Sequence, residues 1–302
     1  MTMIATLIAK PDSKALEADI VRDVSTAVLG LETVWLSKNE AVDISIEGDA
    51  NDPDQVDYVE ALLRSVIAGR PIDIAVQSSL GRRKKLLIAD MDSTMIEQEC
   101  IDELADMAGM KQQVAAITRR AMNGEIEFES ALRERVALLK NLPANIVQKV
   151  ISERITFMVG GKTLVKTMQY NGAFCALVSG GFTSFTVPIA AALGFNANRA
   201  NNLLEHDGLL TGTVAEPILG MQAKVEALEE YCSALKIAPQ NSMAVGDGAN
   251  DLGMIKRAGT GVALHAKPLV ANQAKIRIDH CDLTALLYIQ GYRDVDFIHF
   301  AG

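Results

Sequence analysis

The chain has 302 residues, 49% of them apolar and 22% charged, and carries a net charge of −9 at neutral pH. That length suits about two domains with real cores, and the acidic balance, broken only by Arg82-Arg83-Lys84-Lys85, opposes non-specific nucleic-acid binding, which needs clustered Lys and Arg. Apolar stretches fall far short of the ~20 residues of a membrane helix, and Lys10-Pro11-Asp12 interrupts the apolar start before any secretory segment is complete, so a soluble, cytoplasmic protein is expected.

In chain order, the pattern predicts a strand over 4–9, a helix over 17–29, strands over 34–36 and 41–46, a helix over 56–68 and a strand over 72–76. This βαββαβ order is that of a ferredoxin-like sandwich. It resembles the ACT-like regulatory domains in element order alone, and residues 1–80 are assigned to it. The basic run at 82–85 reads as a solvated linker and marks the boundary with a second domain, 81–302.

Beyond the boundary, short apolar runs at 86–89, 173–178 and 243–245 read as buried strands, and helical segments at 183–193 and 251–258 follow two of them. Such alternation predicts an α/β fold with a doubly wound parallel sheet. Residues 96–155 carry helical patterns only, at 101–107, 127–140 and 144–153, with Pro143 placed to open the last, and so form a helical cap inserted over the site. Residues 196–217, with His206-Asp207-Gly208 and Thr211-Gly212, predict a β-hairpin returning to the sheet. Cys100, Cys175, Cys232 and Cys281 lack CxxC spacing, which favours reduced thiols over disulfides or zinc.

Two acidic clusters directly follow apolar runs: Asp90-Met91-Asp92-Ser93-Thr94 and Gly246-Asp247-Gly248-Ala249-Asn250-Asp251. Ligand sites in open α/β sheets lie beyond the carboxyl ends of the strands, so the clusters are expected to meet there and to require a cation. Asp90 is a competent nucleophile towards phosphorus, and Asp92 can donate a proton to a poor alkoxide leaving group and later take one from water. A surface turn, or the metal-binding DxD of another enzyme class, explains the first cluster equally well on its own. Asp247 and Asp251 add oxygen ligands of the kind Mg²⁺ prefers, and Gly246 and Gly248 allow a tight turn around them. Val178-Ser179-Gly180-Gly181 ends a strand and opens a helix, where a hydroxyl and free N–H groups can face an anion, and Lys224 can reach in as a point charge. By themselves these two also read as an ordinary turn and a solvated lysine.

Taken together, Asp90 to Thr94, Ser179 with its glycines, Lys224 and Gly246 to Asp251 resemble, in order, the four motifs of haloacid dehalogenase-superfamily phosphatases. Within that superfamily the Asp-x-Asp-Ser-Thr start, Val178-Ser179-Gly180-Gly181-Phe182 and the helical cap resemble the phosphoserine phosphatase family. The resemblance covers residues 86–288 or so. It implies Mg²⁺-dependent hydrolysis of O-phospho-L-serine through an aspartyl-phosphate, the closing step of serine synthesis. It makes Asp90 the nucleophile and Asp92 the acid and base. Asp90, the Asp92 backbone carbonyl and Asp247 would hold Mg²⁺, with Asp251 in support, and Ser179, Gly180, Lys224 and Asn250 would lie at the phosphate or substrate. In the cap, Glu99 would read the substrate's amino group, Arg135 its carboxylate, and Met122 with Phe128 would form an apolar lid. Met91 departs from the family, where an aromatic residue is common. Serine at the N-terminal domain and a homodimer are the further partners that fit.

A zwitterionic substrate calls for one anion and one forked cation on the same wall, which Glu99 and Arg135 supply, although Glu97, Arg133 and Glu134 are also available. The rival readings are the same chemistry on another small ester, such as phosphothreonine or phosphohomoserine, and a serine-binding regulator on a degenerate scaffold. The intact acidic and basic set argues against the latter.

Overall fold

The computed structural model describes residues 2–122 and 125–299, without the side chain of Met122. Twelve strands are found among them: β1 (Thr2–Ala9), β2 (Glu32–Ser37), β3 (Ala41–Glu47), β4 (Ile72–Ser78), β5 (Leu86–Ala89), β6 (Phe174–Phe182), β7 (Ala197–Asn201), β8 (Leu203–His206), β9 (Leu209–Val214), β10 (Ser242–Gly246), β11 (Thr260–Leu264) and β12 (Ile276–Ile278). Ten form one sheet in the order β2-β3-β1-β4-β12-β11-β10-β5-β6-β7. The half from β12 to β7 is parallel throughout, as the apolar runs without polar alternation require: Leu86, Leu87, Ile88 and Ala89 of β5 are all wholly buried, with helices on both faces. The chain thus has the α/β fold with a mostly parallel sheet.

The first 78 residues follow the expected βαββαβ order, with β2-β3-β1-β4 antiparallel and two helices, Ala18–Ala27 and Pro53–Ile67, packed over their own apolar core. The second helix shows how the sequence sets its ends. Asp52 accepts from the Asp54 N–H at 3.1 Å, Pro53 occupies the first turn, and Ala68 in the left-handed conformation ends it.

The basic run is not a solvated linker. Arg82 forks onto the Asp43 carboxylate at 2.6 and 3.0 Å and donates to the carbonyls of Tyr288 and Ile289 at 3.2 and 3.1 Å. Arg83 lies over the Tyr292 ring, and Lys84 donates to the Gln240 carbonyl. A planar fork needs planar acceptors, and the two halves of the molecule supply them on either side of Arg82. β4 adds to the tie by pairing antiparallel with β12 at Ile74 and Arg277, and Asp73 accepts the N–H groups of Asp279, His280 and Cys281. Tyr288, Tyr292 and Phe297 are buried at this junction.

The cap is helical, as expected: Cys100–Met107, Lys111–Met122, Phe128–Ala137 and Ile146–Arg154. The sequence reading missed the second of these, which has few buried anchors, and it misplaced Pro143, which does not open a helix but bridges to Leu209. Residues 196–217 differ too. They first supply β7, the edge of the main sheet, and only then the β8–β9 hairpin, which is a separate two-stranded sheet turning at Asp207 and Gly208, φ 49° and 74°. β7 was missed because Ala197-Asn198-Arg199-Ala200-Asn201 lacks the apolar signal of a central strand; an edge strand needs less of it.

Candidate active site

Strand register brings the motifs together. β5 lies between β10 and β6, with Ala89 opposite Val245 on one side and Leu177 on the other, so Asp90, Gly246-Asp247 and Val178-Ser179 leave the sheet side by side at its carboxyl edge. Beyond Asp90 the chain turns sharply. Ser93 has φ 54°, a left-handed conformation costly for a residue with a Cβ, and the N–H groups of Thr94, Met95 and Ile96 all return to the Met91 carbonyl. Met91 itself is fully buried, so its departure from the aromatic pattern is a matter of packing.

Lys224 is 2% exposed at the second turn of the helix Met221–Ala234, and its ammonium lies 2.6 Å from both Asp90 Oδ1 and Asp251 Oδ1. Burial alone would push the lysine's pKa down, but the two carboxylates outweigh it and hold the ammonium charged. Asp251 is completely buried, and its second oxygen accepts the Gly248 N–H at 3.0 Å. A Cβ on Gly246 would overlap the Asp251 carboxyl group, and one on Gly248 the Asn250 carboxamide. Neither glycine is in the left-handed region at this turn, so room for the acids, and not backbone freedom, requires them.

The site carries more negative than positive charge. Asp90, Asp92, Asp247 and Asp251 face Lys224, with Lys267 3.8 Å from Asp247 as a weaker second cation. Burial raises the pKa of Asp90 well above the usual carboxylate range, reinforced by Asp251, while Lys224 pulls it back. Asp92 is pushed up to about 7 by burial and then by Glu99, and Asp247 to about 6 by burial and then by Asp251. The buried Asp92 Oδ1 has no hydrogen-bond partner, and Asp90 Oδ1 meets Lys224 only as an ion pair, without a well-directed hydrogen bond. Carboxylate oxygens of Asp90, Asp247 and Asp251 lie within 4.8 Å of one another. An all-oxygen, electron-rich pocket with under-satisfied acids fits a hard divalent cation. Both oxygens of Asp251 are engaged, by Lys224 and by the Gly248 N–H, whereas Asp90 and Asp247 could each turn an oxygen towards such an ion.

The cap side of the site also assembles. Glu99, at the start of the helix Cys100–Met107, accepts from Ser93 Oγ at 2.9 Å and is close enough to Asp92 to raise its pKa. Arg135 projects from Phe128–Ala137 within the electrostatic reach of Asp102, Glu99 and Asp92, and its side chain donates to the Ala131 carbonyl at 3.3 Å. Arg133 instead is spent on Glu129 and Glu216, and Glu134 on Arg120, all at the surface, which removes two of the alternatives to the Glu99–Arg135 pair. Phe128 covers Gly180: its ring lies 3.4 Å from where a Cβ on that glycine would be. Met122, expected beside it, has its side chain outside the described residues. Two residues given no role of their own by the sequence join the site, Thr94 from the first motif and Lys267 from outside every motif. Buried Thr94 donates to Asp247 Oδ1 at 3.4 Å, and Lys267 reaches the same carboxylate from the loop after β11.

A family model described as haloacid dehalogenase-like hydrolase matches residues 87–256. Phosphoserine phosphatase of Methanocaldococcus jannaschii is 42% identical over 206 residues, 68% of this chain and 97% of that protein. The chain is a haloacid dehalogenase-like hydrolase of the phosphoserine phosphatase family. Phosphoserine phosphatase of Haemophilus influenzae is 44% identical over 69% of this chain, but the chain spans only 66% of that relative's length, and 59% of that of phosphoserine phosphatase SerB2 of Mycobacterium tuberculosis. A solved haloacid dehalogenase-family hydrolase of Salmonella enterica serovar Typhi superposes with a TM-score of 0.84 at 28% identity, over 95% of this chain and 98% of its own. A phospho-aspartyl intermediate analogue of phosphoserine phosphatase superposes with a TM-score of 0.64 at 42% identity, over 68% of this chain and 98% of its own. The residues that the family model matches, 87–256, contain Asp90, Asp92, Ser179, Lys224, Asp247 and Asp251.

In this hydrolase the raised acids give a signed prediction. Without metal, Asp92 at about 7 and Asp247 at about 6 hold protons in the folded state that the unfolded chain has lost. The metal-free protein is therefore expected to gain stability as pH falls through 7 and 6 towards ~4, the unfolded carboxylate value. A divalent cation seated at Asp247 would need that carboxylate ionised, so any stabilisation by added Mg²⁺ is expected to be large at about pH 8 and to vanish near pH 5. Thermal melting with Mg²⁺ and with chelator across that range checks this; a Mg²⁺ increment independent of pH would contradict it.

Proposed function

We propose that the protein hydrolyses O-phospho-L-serine to L-serine and phosphate, with Mg²⁺ as its cation, and so supplies serine in the cytoplasm. The observation that carries this is the opposition of two walls. One presents Asp90, Asp92, Ser179 and Lys224 at the sheet edge; the other, the cap, presents Glu99 and Arg135 close to Asp92.

In the first half-reaction an Asp90 carboxylate oxygen attacks phosphorus, and Asp92, protonated near neutrality, gives its proton to the departing serine oxygen. The Ser179 hydroxyl, the Gly180 N–H and the Lys224 ammonium bind the phosphoryl oxygens. A divalent cation would be held by Asp90, Asp247 and the Asp92 backbone carbonyl, and would supply the charge that lets an anionic nucleophile approach an anionic ester. In the second half-reaction Asp92, now a carboxylate, takes a proton from water as that water attacks phosphorus and Asp90 is released. Phe128 over Gly180 and the cap helices keep bulk water out during the first transfer. Residues 1–80 form a separate ACT-like domain in this reading; serine binding there and a homodimer are consistent with it.

Arg135 tests the substrate class. Arg135→Ala is expected to raise KM for O-phosphoserine on the order of 10–100-fold, the worth of a charge-assisted hydrogen bond to a carboxylate, and to leave phosphoethanolamine, which lacks that carboxylate, nearly unaffected. Equal losses on both esters would remove Arg135 from the substrate and the amino-acid phosphate from the proposal.

A further inference from the structure

Asn201 is a buried asparagine, 2% exposed, whose carboxamide is fully spent on backbone. Its Nδ2 donates to the Gly180 carbonyl at 2.9 Å and to the Leu219 carbonyl at 3.3 Å, and its Oδ1 accepts the Leu219 N–H at 2.7 Å. These partners lie in two different elements of the site. The ladder between β6 and β7 shows why the first contact is needed. Val178 pairs with Arg199, and the next pair is Phe182 with Asn201, so four steps along β6 are matched by two along β7. Ser179, Gly180 and Gly181 leave the ladder in that bulge, and the Asn201 amide takes the place of a strand for the Gly180 carbonyl.

The consequence reaches a reacting group through one peptide unit. The Gly180 carbonyl and the Gly181 N–H belong to the same rigid plane, and that N–H donates to Ser179 Oγ at 2.9 Å. With one lone pair of the hydroxyl engaged in this way, its proton is aimed outward as a donor. The Leu219 contacts hold the segment that enters Gly220 and the helix of Lys224. The Phe128 ring lies near both Gly180 and Gly220, so the two segments that Asn201 ties together also share this neighbour.

We propose that Asn201 is a positioning residue of the phosphate subsite: it locks the Gly180–Gly181 peptide to the Leu219 backbone and thereby aims the Ser179 hydroxyl at the phosphate. The inference rests on the reading of Ser179 and Gly180 as phosphate ligands. Asn201 is not a catalytic residue, since it acts only through its neighbours.

The test uses the full chain with Mg²⁺ and four variants: Asn201→Ala, Asn201→Asp, Ser179→Ala and the double Asn201→Ala/Ser179→Ala. Asn201→Asp keeps size and the acceptor for the Leu219 N–H but sets an anionic oxygen against two carbonyls, so it remains informative if the alanine variant folds poorly. Inorganic phosphate binding by calorimetry is the first readout, with thermal melting beside it. Both single Asn201 variants are expected to weaken phosphate binding about tenfold, the value of a lost buried hydrogen bond. In the Ser179→Ala background the same substitution is expected to cost under about threefold, because two groups acting in one chain are not additive. Lower melting temperatures with unchanged phosphate affinity, or penalties that multiply in full in the double variant, would overturn the proposal and leave Asn201 a scaffold residue. Phosphate is read without turnover. A wild type that binds phosphate but hydrolyses no phosphoserine would sink the proposed function while the Asn201 comparison still decides this inference.

Discussion

Asp90→Asn is expected to abolish phosphate release from O-phosphoserine, by ~10⁴-fold or more, while leaving the protein folded and at least as stable. The amide has the shape of the carboxylate but no charge to offer phosphorus. The stability side of the prediction follows from the electrostatics: Asp90 is raised well above its ordinary range by burial and by Asp251, so its charge costs the metal-free fold more than it contributes. A neutral isostere removes that cost, and Lys224 keeps Asp251 as its partner at 2.6 Å. Steady-state phosphate release with a melting curve in chelator separates the two effects. An inactive but destabilised variant would assign Asp90 to structure, and a variant retaining a tenth of the activity would remove it as nucleophile.

Lys224→Met gives the opposite profile, losing both activity and stability. The lysine is 2% exposed and pairs with two carboxylates, and its replacement strands Asp90 and Asp251 in the interior without a cation. Breaking a buried pair from one side costs about 3–5 kcal/mol, and the loss of a charge on the phosphoryl oxygens costs on the order of 10²–10³ in rate. The stability deficit has a pH signature. Stranded acids escape the penalty by taking up protons, so the deficit is expected to be greatest at about pH 8 and to shrink towards pH 5. Urea unfolding in chelator at the two pH values measures it, through a fall in midpoint at constant slope. A deficit that is the same at both would mean that packing of the lysine stem, and not its charge, is what the fold requires.

The site was more legible in the sequence than the scaffold around it. Asp90, Asp92, Ser179, Lys224, Asp247 and Asp251 each sit next to a fully buried apolar run or at a helix start, so a strand-end geometry followed from the run itself. Register then did what the sequence could not state: Ala89 opposite Val245 and Leu177 puts three motifs, separated by up to about half the chain, at one edge. The choice of Glu99 and Arg135 came only through the family resemblance, because Arg133, Glu134 and Arg135 look alike on a charged helix until their neighbours, Glu216, Arg120 and Asp102, are in place. Arg82 was misread for the same reason. A run of four basic residues signals solvent, and only the meeting of Asp43 with the carbonyls of Tyr288 and Ile289 turns one of them inward. Lys267 and Asn201 were missed because a single lysine or asparagine carries no pattern, and each acquires its role from partners on other elements.

The measurement that tests the central claim most directly is a rapid quench of the wild-type protein with O-phosphoserine and Mg²⁺, followed by mass mapping of its peptides. The account predicts a base-labile gain of one phosphoryl group, confined to Asp90 and absent from Asp90→Asn. Phosphate released with no covalent label on the protein, or a label on any residue other than Asp90, would contradict it.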